Sequence, residues 1–174
     1  MDGSTLSGDF MSDTYEPGAD PRAFRTALGQ FGTGVTVITC QSEKGPLGIT
    51  ANSFSSLSLD PALVLWSPGK FSKRYPAFCA AQNYAIHVLA DDQLGLGGSF
   101  AKDGLDFTIA DWERSAEGVP VLKGCLARFE CRKVTEHDGG DHAIIVGEVL
   151  RVQTAPGAPL IFAQGQYGGF APRG

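Results

Sequence analysis

Two strand-like segments joined by a tight turn constrain this chain more than any other feature. Across residues 126–134 small or apolar side chains alternate with charged ones, and residues 143–152 form a second apolar and β-branched run. Residues 137–142 separate the two and contain Asp138-Gly139, a dipeptide that supplies the positive φ angles of a hairpin turn. The sequence therefore predicts a long antiparallel hairpin in its C-terminal half.

Shorter segments carry the same strand signature. The clearest is Val35-Thr36-Val37-Ile38-Thr39, a β-branched run that ends before Lys44-Gly45-Pro46. The others cover residues 47–54, 57–59, 63–66 and 85–89. Glycine (23) and proline (10) are frequent, and turns rather than helices connect most of these segments. The pattern predicts a mainly β chain with about seven strands, in an antiparallel barrel rather than a doubly wound sheet.

Three short helices are predicted beside the strands. The first begins at Asp20-Pro21, because aspartate caps helices and proline suits the first helical position. Ser72 would cap a second helix, and Asp91 or Asp92 a third. Residues 102–120 show no regular pattern and are expected to form a loop.

The composition bounds the class of protein. The 14 basic and 19 acidic residues give a net charge of −5, without the clustered basic face of a nucleic-acid binder. No run approaches the roughly 20 apolar residues of a membrane span, and the first basic residue is Arg22, so we expect a cytoplasmic protein. The 4 cysteines form no CxxC pair and are expected to be reduced and buried.

One domain accounts for most of the chain. Residues 1–19 have no repeated apolar spacing, so we expect a disordered N-terminal tail. Residues 20–170 form the predicted domain, and residues 171–174 a short C-terminal tail. A chain of this length buries roughly 70% of its unfolded surface, so neither disulfides nor a metal are needed for stability.

Two segments could bind a ligand. In residues 48–56 small and amide side chains stand where a core strand would carry valine or isoleucine, which fits either an edge strand or a strand lying along a planar ligand. Residues 69–74 place three cations beside a predicted helix start, which fits either an anion site or a solvated charged turn.

The histidines and the missing motifs narrow the chemistry. His137 and His142 flank the hairpin turn with two aspartates, but so short a turn splays its side chains apart, which favours a structural hairpin over a metal site. His87 lies in an apolar strand and is expected to be a hydrogen-bonded core or pocket residue.

The HExxH, Walker, GxSxG and GxGxxG motifs are absent. Hydride transfer between two bound rings fits such a chain, because it needs orientation rather than a nucleophile.

Three segments together resemble the flavin reductase family. They are residues 25–39 with their Thr-Gly-Val-Thr-Val block, residues 50–61 ending in Asp60-Pro61, and Gly139-Gly140-Asp141-His142. The likeness covers residues 21–169 and points to the small reductase component of two-component flavin-dependent monooxygenases. It implies a split antiparallel β-barrel of Greek-key type with a few short helices, usually a homodimer. FMN or FAD would lie near the subunit interface, with NAD(P)H stacked over the flavin.

The resemblance also implies roles for individual residues. His142 would face and orient the nicotinamide, with Asp141 beside it. Lys73 and Arg74 would reach the flavin phosphate. The full set implied to contact the flavin is Gly48, Ile49, Thr50, Asn52, Ser53, Ser67, Pro68, Lys73, Arg74, Ser99, Phe100 and Tyr167.

The activity that this resemblance implies is NAD(P)H:flavin oxidoreduction, supplying diffusible reduced flavin to a partner monooxygenase. The acidic chain favours NADH, with NADPH left open. Two alternatives remain: a non-catalytic module that holds flavin tightly, and another split-barrel oxidase, such as one of the pyridoxamine phosphate type. The sequence does not choose between FMN and FAD.

Overall fold

The computed structural model describes residues 14–172. The expected tails therefore lie largely outside the described residues, at positions 1–13 and 173–174. Within the described part the chain forms α1 (Pro21–Leu28), α2 (Tyr75–Ala80) and α3 (Leu94–Lys102), the last preceded by a 3₁₀ turn at Asp91–Gln93.

Antiparallel strands make up most of the remainder, which confirms the mainly β prediction, and their number exceeds the predicted one. Seven of them form one sheet in the order β3-β2-β6-β9-β10-β5-β4, three form a second sheet in the order β1-β11-β12, and β7 pairs with β8. The strands are β1 (Thr33–Gly34), β2 (Thr36–Ser42), β3 (Gly45–Ala51), β4 (Ser55–Leu59), β5 (Ala62–Trp66), β6 (Asn83–Val88), β7 (Trp112–Arg114), β8 (Pro120–Leu122), β9 (Ala127–Gly139), β10 (His142–Thr154), β11 (Leu160–Ala163) and β12 (Gln166–Gly169).

The predicted hairpin is the centre of the large sheet. β9 and β10 have 13 residues each and pair from Gly139–His142 at the tip to Ala127–Thr154 at the base. Two register shifts interrupt the ladder, and such bulges bend and twist a strand pair. The base of β9 pairs with β6, and the middle of β10 pairs with β5. The ribbon thus joins the two halves of the sheet.

The turn of this hairpin lies one residue beyond the predicted position. Gly140 has the positive φ, +81°, while Asp138 and Gly139 remain in β9. A glycine with positive φ at the first central position suits a two-residue hairpin turn. Asp138 instead accepts a hydrogen bond from the Gly140 N–H at 3.1 Å through Oδ1.

The helix caps match the predictions only for α1. Asp20 Oδ1 accepts from two backbone N–H groups of the first turn, at 3.0 and 2.9 Å. α2 begins later than predicted, with Arg74 at its N-cap, and Ser72 Oγ accepts from the Arg74 N–H at 3.2 Å instead. Asp91 and Asp92 form the 3₁₀ turn rather than capping α3.

The alternation predicted along residues 126–134 holds at Arg132, which is exposed, but not at Glu130. Glu130 is only 6% exposed, because Val119 and Val121 of the β7–β8 hairpin pack on Ala85, the residue paired with Glu130. The carboxylate of Glu130 pairs with Arg128 at 3.0 Å and Arg151 at 2.9 Å. Thr39 Oγ1 also donates to the Pro120 carbonyl at 2.5 Å. Residues 102–120, predicted as a loop, thus include β7, and β8 begins at Pro120.

The core confirms the expected state of the cysteines. Cys40, Cys125 and Cys131 are buried, Cys79 is half-buried, and all 4 are free. Burial raises the pKa of the Cys40 thiol to about 12, so this thiol stays protonated and unreactive. Among the described residues no helix is long and apolar enough to cross a membrane.

His87 is the core histidine that the sequence predicted. Its Nδ1 lies 2.9 Å from the Val37 carbonyl, and its Nε2 accepts from the Leu122 N–H at 3.0 Å. These two bonds require the neutral ring with the proton on Nδ1. Burial lowers the pKa of His87 to about 4.

This histidine makes stability depend on pH. Its folded-state pKa lies below the unfolded value near 6.5, so its contribution is present above about pH 6.5 and is lost as the pH falls towards 4. We expect His87→Asn to cost about 1–3 kcal/mol at pH 7, since the Leu122 N–H loses its acceptor, and to flatten the pH profile. Urea unfolding of the unmodified protein and His87→Asn between pH 4 and 7 measures the unfolding free energy of each. If the two free energies change with pH in parallel, His87 is not the group responsible.

Candidate functional site

β3 is an edge strand of the large sheet, so one reading of its small residues is confirmed. The Gly48 N–H donates to the Gly104 carbonyl at 2.8 Å, and the Gly48 carbonyl accepts from Arg74 at 3.0 Å. The N–H and carbonyl of Gly48 therefore point away from β2. Because the direction of these groups alternates along a strand, the N–H and carbonyl of Thr50 point the same way. Within residues 14–172 no hydrogen bond from outside the β2–β3 ladder reaches the Thr50 N–H or carbonyl, so both groups are open at the sheet edge.

A cleft of about 190 Å³ opens at this edge. It brings together three of the residues that the resemblance implied: Thr50 from β3, Asn52 just after β3 and Tyr167 from β12. Thr50 Oγ1 donates to the Gly97 carbonyl at 2.6 Å, which ties the strand to α3. The remaining lining residues are Val35, Ala51, Ala101 and Phe162.

A larger cleft, of about 450 Å³, shares Tyr167 with the first. Asp91 and Asp92 line it, together with Leu94, Leu160, Gly168 and Gly169. Sequence reasoning missed these aspartates and Phe162 as lining residues. Phe162 carries no local signal, because it reaches the site only through the pairing of β11 with β1 and β12.

The strip of predicted residues continues from β3 to the end of β5. Ser53 Oγ donates to the Ser67 carbonyl at 3.1 Å and accepts from the Ser67 N–H at 3.0 Å. Pro68 is buried, and its carbonyl accepts from the Ala143 N–H of β10 at 3.1 Å. Ile49 packs its side chain against the core beside Ile38 and Trp66, and its backbone faces β2, where it pairs with Ile38.

Arg74 links β3 to the C-terminal end of α3. Its guanidinium donates to the carbonyls of Gly48 at 3.0 Å, Phe100 at 2.5 Å and Ala101 at 2.8 Å. Lys73 beside it is exposed and makes no hydrogen bond or ion pair within the described residues.

The two predicted residues on α3 differ in exposure. Phe100 is fully buried, its ring packs edge-on against Phe107 at a centroid distance of 5.0 Å, and its carbonyl accepts from Arg74. Ser99 is half-buried.

His142 lies at the tip of the ribbon and lines neither of the two clefts. Its Nδ1 is 2.7 Å from Asp141 Oδ1, and this hydrogen bond lowers the pKa of Asp141. The Phe71 ring stands perpendicular to the imidazole at 6.0 Å. Lys70, expected in the basic cluster, pairs instead with Asp138 on the hairpin. Among the described residues no three side chains are arranged to hold a metal.

Comparison with known proteins decides the family. The sequence profile described as "Flavin reductase like domain" matches residues 28–171. This chain belongs to the flavin reductase family. The predicted resemblance is therefore confirmed.

Relatives and solved structures agree with this assignment. The chain is 56% identical over 154 residues to the FMN reductase (NADH) SmoA of Agrobacterium fabrum, covering 88% of each chain. It is 40% identical over 157 residues to HsaB, the reductase subunit of a flavin-dependent monooxygenase in Mycobacterium tuberculosis, covering 88% of this chain and 84% of HsaB.

The fold matches as well. The NADH:FAD oxidoreductase SgcE6 of Streptomyces globisporus, solved with NAD and FAD fragments, superposes with a TM-score of 0.86 at 36% identity, over 92% of this chain and 98% of SgcE6. Some neighbours are longer, and the chain spans 52% of one of them. The split-barrel prediction is confirmed by this likeness.

The structure of this flavin reductase predicts a structural role for Arg74. Arg74→Met would remove the charged hydrogen bonds that join β3 to α3, so we expect the flavin-free protein to lose about 1.5–3 kcal/mol of unfolding free energy. Urea unfolding measures this, with Lys44→Met in an exposed turn as the control. Equal stability of the two variants would contradict the prediction.

Proposed function

We propose that this chain is an NADH:flavin oxidoreductase that delivers reduced, diffusible flavin to a partner monooxygenase. The observation that carries the proposal is the open backbone edge of β3 inside the cleft beside Tyr167. Relatives named for FMN reduction with NADH and for NADH:FAD oxidoreduction support the cofactor and the donor. HsaB, named as a monooxygenase reductase subunit, supports the partner.

The described residues fit a flavin ring. The unpartnered N–H of Thr50 can donate to a ring acceptor, and the small side chains of Thr50 and Ala51 at the cleft let a planar group approach the backbone. Tyr167 is 47% exposed and offers an aromatic face at the same cleft. When bound, the flavin supplies an N5 atom that accepts a hydride from the nicotinamide.

The protein contributes orientation rather than proton transfer in this proposal. His142, held by Asp141, orients the nicotinamide. Lys73 extends into solvent and reaches the flavin phosphate, while Arg74 holds the strand on which the flavin lies. Because the ring would rest on an edge strand of the sheet, the flavin can dissociate. A tightly held flavin would favour the alternative of a binding module.

A cytoplasmic location belongs to the proposal, because NADH and 4 free cysteines suit a reducing compartment.

A homodimer also belongs to the proposal, and α1 supports it. No residue of this helix is buried in the single chain. Phe24, Leu28 and Phe31 lie on or just after α1 at helical spacing and are 42%, 60% and 79% exposed. An exposed apolar patch of this kind marks a protein–protein contact. A second copy of the chain is the partner that we propose.

The role of His142 can be tested with the activity itself. We expect the purified protein to oxidise NADH only when FMN or FAD is added, and His142→Ala to raise the KM for NADH about tenfold while the flavin Kd changes little. His137→Ala, on the neighbouring strand, is the matched control. Loss of NADH absorbance and flavin fluorescence measure the two quantities.

Two results would contradict this proposal. Negligible NADH oxidation despite tight flavin binding would favour the binding module. An unchanged KM in His142→Ala would remove the role of His142 and leave the activity standing.

The dimer is tested by a charge on the exposed helix face. Leu28→Glu would place a carboxylate in the contact, so we expect it to yield monomers in analytical ultracentrifugation where the unmodified chain is a dimer. Thr26→Glu, on the opposite face of α1, should leave the dimer intact. A dimer that tolerates Leu28→Glu would place the contact elsewhere.

A further inference from the structure

The tip of the β9–β10 ribbon extends beyond the rest of the sheet. β6 pairs with β9 only as far as Arg132, and β5 pairs with β10 only from Ile145 onward. In the described part of the chain, residues 134–139 and 142–144 therefore have no strand neighbour except each other. A two-stranded ribbon of this kind is only marginally stable by itself. Something else must hold the tip that carries His142.

The segment that follows β5 provides this support. Gly69 forms a bridge with His142, and the Lys70 N–H donates to the Asp141 carbonyl at 2.9 Å. Phe71 folds back over Gly69, and the edge of its ring meets His142. A Cβ at position 69 would lie only 2.7 Å from the Phe71 ring. The absence of a side chain at Gly69 thus makes this aromatic contact possible.

The side chain of Lys70 binds both sides of the turn. Its Nζ pairs with the Asp138 carboxylate before the turn and donates to the Gly140 carbonyl within it at 2.7 Å. Asp138 in turn accepts from the Gly140 N–H. An isolated ion pair between side chains this exposed would contribute little to stability. Here the Lys70 ammonium bonds both the Asp138 carboxylate and the Gly140 carbonyl, and Asp138 and Gly140 are also joined by their own hydrogen bond.

We infer that Lys70 and Asp138 are positioning residues for NADH, fixing the turn so that His142 faces the nicotinamide. This rests on the proposed function of His142. Lys70 is therefore not part of the flavin phosphate site, although it lies three positions from Lys73. Its loss should affect NADH and leave flavin binding unchanged, because its side chain bonds Asp138 and Gly140 and none of the proposed flavin contacts Thr50, Lys73 and Tyr167.

Lys70→Met tests this inference, with Lys70→Arg as the conservative variant and Lys44→Met as the control. We expect Lys70→Met to raise the KM for NADH about fivefold, with flavin Kd and melting temperature unchanged, and Lys70→Arg to restore it. NMR gives a readout that does not need activity. The chain has 3 histidines, and the ring resonance of His142, assigned with His142→Ala, should shift or broaden while that of His87 stays.

The KM and the His142 resonance of Lys70→Met test the role of Lys70, and NADH oxidation by the unmodified protein tests the proposed function. An unchanged KM for NADH and an unchanged His142 resonance in Lys70→Met would overturn the inference. So would a parallel loss of flavin affinity, melting temperature and NADH use, since that is a general folding defect. If the unmodified protein oxidises no NADH with either flavin, the proposed function fails, and the resonance of His142 still decides whether Lys70 fixes the turn.

Discussion

The antiparallel pairing of β9 with β10 is the constraint on which the other parts of this structure depend. Its base carries β6 and then β2 and β3, and its middle carries β5 and β4, so both edges of the large sheet take their positions from it. Its two register shifts supply the bending that an extended ribbon needs to wrap around a core. Its free tip carries the turn with His142. One hairpin therefore determines the positions of both the edge proposed to bind flavin and the histidine proposed to contact the nicotinamide.

The proposed site relies on backbone groups more than on reactive side chains. The open edge of β3 places the N–H and carbonyl of Thr50 in the cleft, and the hydrogen bond from Thr50 to Gly97 fixes that strand against α3. No acid, base or nucleophile is needed for a hydride to pass between two rings held in contact. The buried carboxylate of Glu130 has a structural role instead: it pairs with Arg128 and Arg151. These two arginines also pair with Glu113 of β7 and with Glu117, between β7 and β8, and so tie the β7–β8 hairpin to the sheet.

Local patterns predicted the elements, and long-range pairing decided what the sequence could not show. The β-branched run at residues 35–39 and the cap at Asp20 are local features, and both formed as expected. Two adjacent glycines could each supply the positive φ of the hairpin turn, and the ribbon register, not the dipeptide, selects Gly140. Lys70 was grouped with neighbouring cations because its partner, Asp138, is remote in sequence. The small residues of β3 did mark the cleft, but its opposite wall comes from β11 and β12.

The proposed mechanism is direct hydride transfer from NADH to a flavin that this chain holds beside it. Anaerobic rapid mixing of the flavin-loaded protein with NADH tests it most directly, by following NADH and flavin absorbance together in one turnover. We predict that the flavin is bleached at the same rate at which NADH is lost, and that NADH deuterated at C4 slows both signals equally. Flavin that stays oxidised in the presence of excess NADH would contradict the claim.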